Sequence, residues 1–170
     1  STALQNGASF VYPVETLEEA SVFKQNGYFA AAERDGKKVD GFDLGNSPGE
    51  YHERIVKNQS IVLTTTNGTK CIRLSESANT ILTGAFSNIS SLVKYLKTDE
   101  HDLILFCAGW KNKVNIEDTL FAGALAQRLK DDYEWDDDAV EMASDLYIAQ
   151  KDNLLDYVSK AAHAKRFLKT

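Results

Sequence analysis

An α/β fold built on a largely parallel central sheet is predicted by three observations. Five short apolar runs have the length of strands, segments of helical period separate them, and helix-start signals precede most of those segments. Alternation of this kind puts helices on both faces of the sheet, giving a three-layer α/β/α sandwich.

The elements follow in order. Strands are expected at SFVYPV (9–14), YFAAAE (28–33), SIVLTT (60–65), TILTG (80–84) and DLILFCA (102–108). Helices are expected to begin near Leu17, Pro48, Lys70, Ile89 and Ile116. Thr16-Leu17-Glu18-Glu19 and Ser47-Pro48-Gly49-Glu50 fit capping boxes, the second with proline at the first helical position. Asn88 and Asn115 suit N-cap positions, and Ile116, Leu120, Ala124, Leu125 and Leu129 recur at core-facing spacing. The acidic run DDYEWDDD (131–138) reads as a solvated connection that caps the next helix, in preference to a metal site. Two further helices follow. Met142, Leu146 and Ile148 mark the first; Leu154, Leu155, Val158, Ala161, Ala162 and Leu168 mark the second.

The 170 residues suit one domain, 43% of them hydrophobic and 26% charged, with only two prolines. A net charge of −6 argues against a nucleic-acid partner but leaves room for a small anionic ligand bound by local cations. The apolar runs are too short to span a membrane, and no leader is expected at the start. Cys71 and Cys107 show no C-x-x-C spacing, which favours a reduced, cytoplasmic chain over zinc or redox chemistry. Sequons at Asn58, Asn67 and Asn88 carry no weight without other signs of secretion.

Ligands of open parallel sheets bind beyond the carboxyl ends of the strands, so the loops after Glu33, Thr65, Leu82 and Cys107 matter most. GFDLGNSP (41–48) supplies two glycines, the Asp43 carboxylate and a helix start at Ser47-Pro48, which would suit phosphate; a plain connector is the alternative. IVLTTTNGTK (61–70) admits a hairpin at Asn67-Gly68, yet KCIRLSESA reads as helical, so strand–loop–helix is preferred. The hydroxyls of Thr64, Thr65 and Thr66 would then line an anion-binding concavity, without the spacing of a Walker loop. In CAGWKNKVNIED (107–118), Glu117 and Asp118 either complement a helix dipole or ligate a hard cation. Cys107 lacks the arginine six positions on that a cysteine phosphatase requires, since Lys113 stands there. Arg34 would clamp an anion or pair with a carboxylate. His52, His101 and His163 are scattered.

Taken in order, Glu33-Arg34, GFDLGNSP, VLTTTNGTK, CAG and IED followed by FAGAL resemble the 2-phosphosulfolactate phosphatase (ComB) family. The resemblance runs from ALQNGASFVYPVETLEEA to ED-x₃-AGAL and weakens in the last two helices, where His163 and Leu168 still match positions often similar in the family. It implies an α/β/α phosphatase that hydrolyses 2-phospho-3-sulfolactate, or a similar phosphorylated hydroxy acid, to 3-sulfolactate and phosphate with Mg²⁺. That reaction is a step toward coenzyme M where coenzyme M is made. The motifs carry over onto Glu33, Arg34, Asp43, Asn46, Ser47, Thr65, Thr66, Asn67, Gly68, Thr69, Glu117 and Asp118. Departures are also visible. Ser1-Thr2 look like the tail of an Asp-x-x-Arg-Ala-Thr-Ser segment that follows a first strand in the family, and a final family segment is expected beyond Thr170. Ala31-Ala32 stand where glycines often precede Glu-Arg, and Trp110 adds bulk to a loop that is often small.

The expected mechanism follows from what monoester hydrolysis needs, charge neutralisation and an aligned water. Asp43 with Glu117 or Asp118 would hold Mg²⁺, TTTNGT with Asn46 and Ser47 would bind phosphate oxygens, and Arg34 or Lys111 and Lys113 would grip the second anionic end. A carboxylate not committed to metal would act as base. The expected partner is a small phosphate ester, with a homodimer entertained as the assembly. Two alternatives stand beside this reading: a non-catalytic anion-binding or assembly module, and a structural domain whose polar loops only cap helices.

Overall fold

The structure is a computed structural model that describes residues 2–34 and 36–161. Ser1, Ala162, His163 and Leu168, which figured in the expectations above, lie outside the described residues. The chain is mixed α/β with a mostly parallel sheet, as expected, and divides into two compact units, Ser1–Ile81 and Leu82–Thr170.

The first unit opens with a short helix α1 (Thr2–Gln5) and a turn at Gly7 that feeds β1 (Phe10–Pro13). Helix α2 (Leu17–Gln25) starts on the expected capping box: the Glu19 N–H donates to Thr16 Oγ1 at 3.1 Å, and the Thr16 N–H donates to Glu19 Oε2 at 3.2 Å. Gly27, at φ +88°, then turns the chain into β2 (Phe29–Arg34), which pairs antiparallel with the two-residue β3 (Lys37–Lys38). A single 3₁₀ turn (Pro48–Glu50) and the four-residue α3 (Glu53–Val56) replace the helix expected from Pro48. Its predicted capping box fails because the Glu50 carboxylate accepts from the Gly45 N–H at 2.8 Å instead of reaching back to Ser47.

Strand β4 (Ser60–Thr64) is central: the order is β1-β4-β2-β3, with β1 and β2 both parallel to β4. Period-2 alternation sends Ile61 to one face, with Ala31, Leu44, Tyr51 and Val56, and Val62 to the other, with Val14, Ala20 and Ala30. Both faces are therefore covered, as the continuous apolar run of β4 requires. Helix α4 (Gly68–Leu74) follows β4, so the strand–loop–helix reading of IVLTTTNGTK holds and the hairpin at Asn67-Gly68 does not form.

The second unit contains α5 (Ile89–Leu96), α6 (Ile116–Leu129), α7 (Asp138–Gln150) and α8 (Leu154–Ser159). Leu125, Leu129 and Ala124 of α6 meet Ile89 and Leu96 of α5 in one core. Helices α6 and α7 approach closely at Gly123, where an added Cβ would collide with the Ala143 carbonyl oxygen. The acidic run behaves as a connection: Asp132 pairs with Lys97 at 2.8 Å, Tyr133 donates its hydroxyl to the Leu96 carbonyl at 3.0 Å, and Asp137 caps α7 through the Ala139 N–H at 2.7 Å. Met142 and Leu155, two of the apolar markers of the last helices, face solvent.

The strands expected at 80–84 and 102–108 are not formed. Leu103 and Leu105 pack on the α5–α6 core while Ile104 stays 87% exposed and Phe106 53% exposed, so the alternation is that of a strand. No neighbouring segment among the described residues supplies the ladder. The 80–84 segment is instead bonded locally: Asn88 accepts from the Ala85 N–H at 2.7 Å and donates to the Thr83 carbonyl at 2.9 Å. Among the described residues no helix is long and apolar enough to cross a membrane.

Candidate active site

In the first unit, the carboxyl ends of β1, β4 and β2 are joined by one buried hydroxyl. Thr64, at the end of β4, is 0% exposed. Its Oγ1 donates to the Glu15 carbonyl at 3.1 Å and accepts from Arg34 Nη2 at 3.3 Å. Arg34 Nη1 donates to the Glu33 carbonyl at 2.8 Å, and the Glu33 carboxylate accepts from the Gly36 N–H of the β2–β3 turn. Thr64 therefore faces the interior and does not join the concavity expected of three threonines, because position 64 shares the face of β4 that buries Val62. Thr65 and Thr69 lock the loop to the helix: Thr69 Oγ1 donates to the Thr65 carbonyl at 2.6 Å, and the Thr69 N–H donates to Thr65 Oγ1 at 3.3 Å. Thr66 and Gly68 are exposed, and Asn67, at the N-cap of α4, makes no side-chain cap bond.

The GFDLGNSP loop runs beside β2, with the Asp43 N–H donating to the Ala30 carbonyl at 2.8 Å and an isolated bridge between Ala31 and Leu44. Both Asp43 carboxylate oxygens are engaged. Oδ1 accepts from Lys24 Nζ at 2.8 Å and Oδ2 from the Ala30 N–H at 2.9 Å, while Lys24 also donates to the Gly41 carbonyl at 2.7 Å. Partial burial pushes the Asp43 carboxyl up, but the Lys24 hydrogen bond and charge and the Ala30 N–H outweigh it and hold it below the ordinary value. Further along, the Tyr51 hydroxyl donates to the Gly45 carbonyl at 2.7 Å from a buried position. Burial, with the Glu50 charge nearby, pushes this phenol up to about 12, so it stays a donor. Asn46 and Ser47 lie exposed on this loop.

In the second unit, the loop before α6 is a tight hairpin. Trp110 and Lys113 exchange backbone bonds of 3.0 and 3.1 Å around Lys111 and Asn112, which take φ of 54° and 56°. Two consecutive positive φ values define a type I′ turn, here without the usual glycine. Gly109 has φ +68°, and a Cβ there would meet the Lys113 carbonyl oxygen at 2.6 Å, so glycine is required. Lys111 Nζ sits 4.9 Å from the Trp110 ring centroid. Asn115 caps α6 through the Glu117 N–H at 2.9 Å, as expected, and Asp118 Oδ2 accepts from the Gly109 N–H at 2.7 Å. Asp118 thereby ties the hairpin to the helix, and Glu117 Oε2 is shielded from solvent.

Arg34 and the end of β4 thus come together in the first unit, and Gly109, Glu117 and Asp118 in the second. Asp43 is bound to Lys24, a partner that no spacing in the sequence signals. Among the described residues no group of three His, Cys, Asp or Glu is arranged to hold a metal ion. Each Asp43 oxygen accepts one hydrogen bond, from Lys24 or from the Ala30 N–H, and keeps a second lone pair. Glu117 and Asp118 carry carboxylate oxygens, the donor type that Mg²⁺ takes, at the start of α6.

The family model described as 2-phosphosulpholactate phosphatase matches residues 1–170. The chain is 43% identical over 168 residues to a protein named "probable 2-phosphosulfolactate phosphatase" from Thermotoga petrophila, and equally so to one from Thermotoga maritima. Each match covers 98% of this chain and 72% of the relative. A protein of the same name from Caldanaerobacter subterraneus subsp. tengcongensis is 37% identical over 171 residues, covering 98% of this chain and 71% of that one.

Proposed function

Because the chain belongs to the 2-phosphosulfolactate phosphatase family, with relatives named probable 2-phosphosulfolactate phosphatases, we propose that it hydrolyses 2-phospho-3-sulfolactate, or a similar phosphorylated hydroxy acid. The products are 3-sulfolactate, or the corresponding hydroxy acid, and inorganic phosphate. One observation carries the reading: a chain that matches this family throughout its length presents Arg34 and the TTTN loop at the carboxyl edge of a parallel sheet. A small, doubly anionic substrate suits a protein of net charge −6 only through such local donors.

Arg34 carries five N–H donors, and the two bonds it makes among the described residues leave other N–H groups of the fork for an anion. Thr66, Asn67 and the exposed loop residues Asn46 and Ser47 supply further neutral donors for phosphate oxygens. In the second unit, Lys111 and Lys113 stand exposed on a two-residue turn and carry positive charge suited to an anion. Glu117 or Asp118 would hold a Mg²⁺ ion, which would supply charge neutralisation and Lewis-acid polarisation for phosphoryl transfer. A carboxylate not holding the cation takes a proton from the attacking water, and the departing alkoxide takes one from solvent. The bonds of Asp43 to Lys24 and Ala30 hold the glycine loop beside β2.

Phosphate release from phosphosulfolactate, measured with Mg²⁺ and with EDTA, tests the proposal. Turnover that EDTA abolishes and Mg²⁺ restores is expected. Turnover untouched by EDTA overturns the metal role, and substrate binding without turnover in calorimetry identifies an anion-binding module instead.

A further inference from the structure

Thr64 is a polar residue at full burial in a strand otherwise made of Ser60, Ile61, Val62 and Leu63. A hydroxyl there needs partners, and it has two of opposite kind. Its single O–H is directed at the Glu15 carbonyl, which fixes the rotamer and turns the lone pairs toward Arg34 Nη2. Since Glu15 follows β1 and Arg34 ends β2, the Thr64 hydroxyl on β4 links three adjacent strand ends across the sheet. The Arg34 guanidinium is then held at Nη2 by Thr64 and at Nη1 by the carbonyl of Glu33. A planar fork restrained at two nitrogens loses little freedom when its remaining N–H groups meet an anion.

We propose that Thr64 is a positioning residue for substrate binding: its buried hydroxyl orients the Arg34 guanidinium toward the anionic ester, and Thr64 itself does not touch the substrate. The three threonines of the TTT run divide accordingly. Thr64 aims the arginine, Thr65 fixes the loop to α4, and Thr66 is the one whose side chain is open to a ligand. This rests on the reading of Arg34 as an anion-binding group given above.

The experiment compares steady-state kinetics of Thr64→Val, Thr64→Ser, Arg34→Ala and the double variant Thr64→Val/Arg34→Ala, with inorganic phosphate as a competitive inhibitor. Valine matches threonine in shape, so the buried space stays filled. Loss of one positioning hydrogen bond is expected to raise KM and the phosphate inhibition constant of Thr64→Val about three- to tenfold, with kcat within about twofold. Thr64→Ser is expected to restore both. In the Arg34→Ala background, Thr64→Val is expected to add nothing, because the group it orients is gone. If Thr64→Val raises KM equally in both backgrounds, or leaves it unchanged while Arg34→Ala raises it, the positioning role is overturned and the anion role of Arg34 stands. If Arg34→Ala leaves KM and phosphate inhibition unchanged, the Arg34 reading fails and takes this inference with it. Should Thr64→Val not fold, Arg34→Lys decides. With an oriented fork, KM rises as far as in Arg34→Ala; with charge alone at work, lysine keeps the wild-type KM and overturns the proposal.

Discussion

Asp43 shows how much a single carboxylate's role depends on its neighbours. In sequence it stands between two glycines ahead of a helix start, which suggests a metal or phosphate function. In the structure its two oxygens accept from Lys24 and the Ala30 N–H, and these bonds clasp the loop. The clasp has a pH signature. Burial pushes the carboxyl up, the Lys24 and Ala30 bonds push it down, and the net direction is down. A depressed folded-state value means the stabilisation is fully present above the unfolded value of about 3.9 and is lost as pH falls through the lower folded value. Asp43→Asn should therefore have a lower urea midpoint than wild type at pH 6, and the gap should narrow as both are taken toward pH 3. A gap that stays constant over that range would show that the charge on Asp43 contributes nothing. Because Lys24 is partly exposed, the gap at pH 6 should also shrink in high salt.

At the scale of an element, the α6–α7 pair depends on one missing side chain. FAGAL puts small residues on the face of α6 that meets α7, and Gly123 lies against the Ala143 backbone with no room for a methyl group. The contacted atoms are backbone, so a clash cannot be relieved by turning a side chain. Gly123→Ala gains about 1 kcal/mol of helix propensity but overpacks the crossing, at a cost of about 1–3 kcal/mol or more. The expected result is a net loss of stability, read as a lower urea midpoint. Gly49→Ala is the matched control, since its added Cβ would meet only Ser47 Oγ, at 3.8 Å. If Gly123→Ala were as stable as that control, helix separation at this point would have to be easily adjusted, contrary to the contact with the Ala143 carbonyl. The same crossing explains why Gln127 and Ser144, facing each other one turn further along, form a side-chain hydrogen bond.

Over the whole molecule, what the sequence reveals depends on whether a feature is local. The capping box at Thr16, the Asn115 cap and the core stripe of α6 are short-range and were legible. The runs at 9–14, 28–33 and 60–65 were legible as strands because each has a partner in the sheet. The runs at 80–84 and 102–108 carry similar apolar signals, but pairing is set by distant residues and no ladder forms on them among the described residues. The candidate site divides the same way. Polar, glycine-bearing loops at strand ends could be read from composition, whereas the inward turn of Thr64 and the Lys24–Asp43 bond depend on which way a side chain faces. Charge is the remaining property that belongs to the molecule as a whole. A protein at −6 repels an anionic ester at long range, so capture depends on cations acting within about 10 Å at 0.1 M salt. Lys111 and Lys113 are exposed on a turn whose backbone is fixed, which places their charge where salt can screen it. For wild type, kcat/KM toward the sulfonated ester should fall as sodium chloride is raised. Lys111→Gln/Lys113→Gln should start lower and lose most of that salt dependence, while an aryl phosphate without the second anion should distinguish the two proteins much less. Equal salt slopes for both proteins would remove the lysines from substrate capture and leave the second anionic group to Arg34.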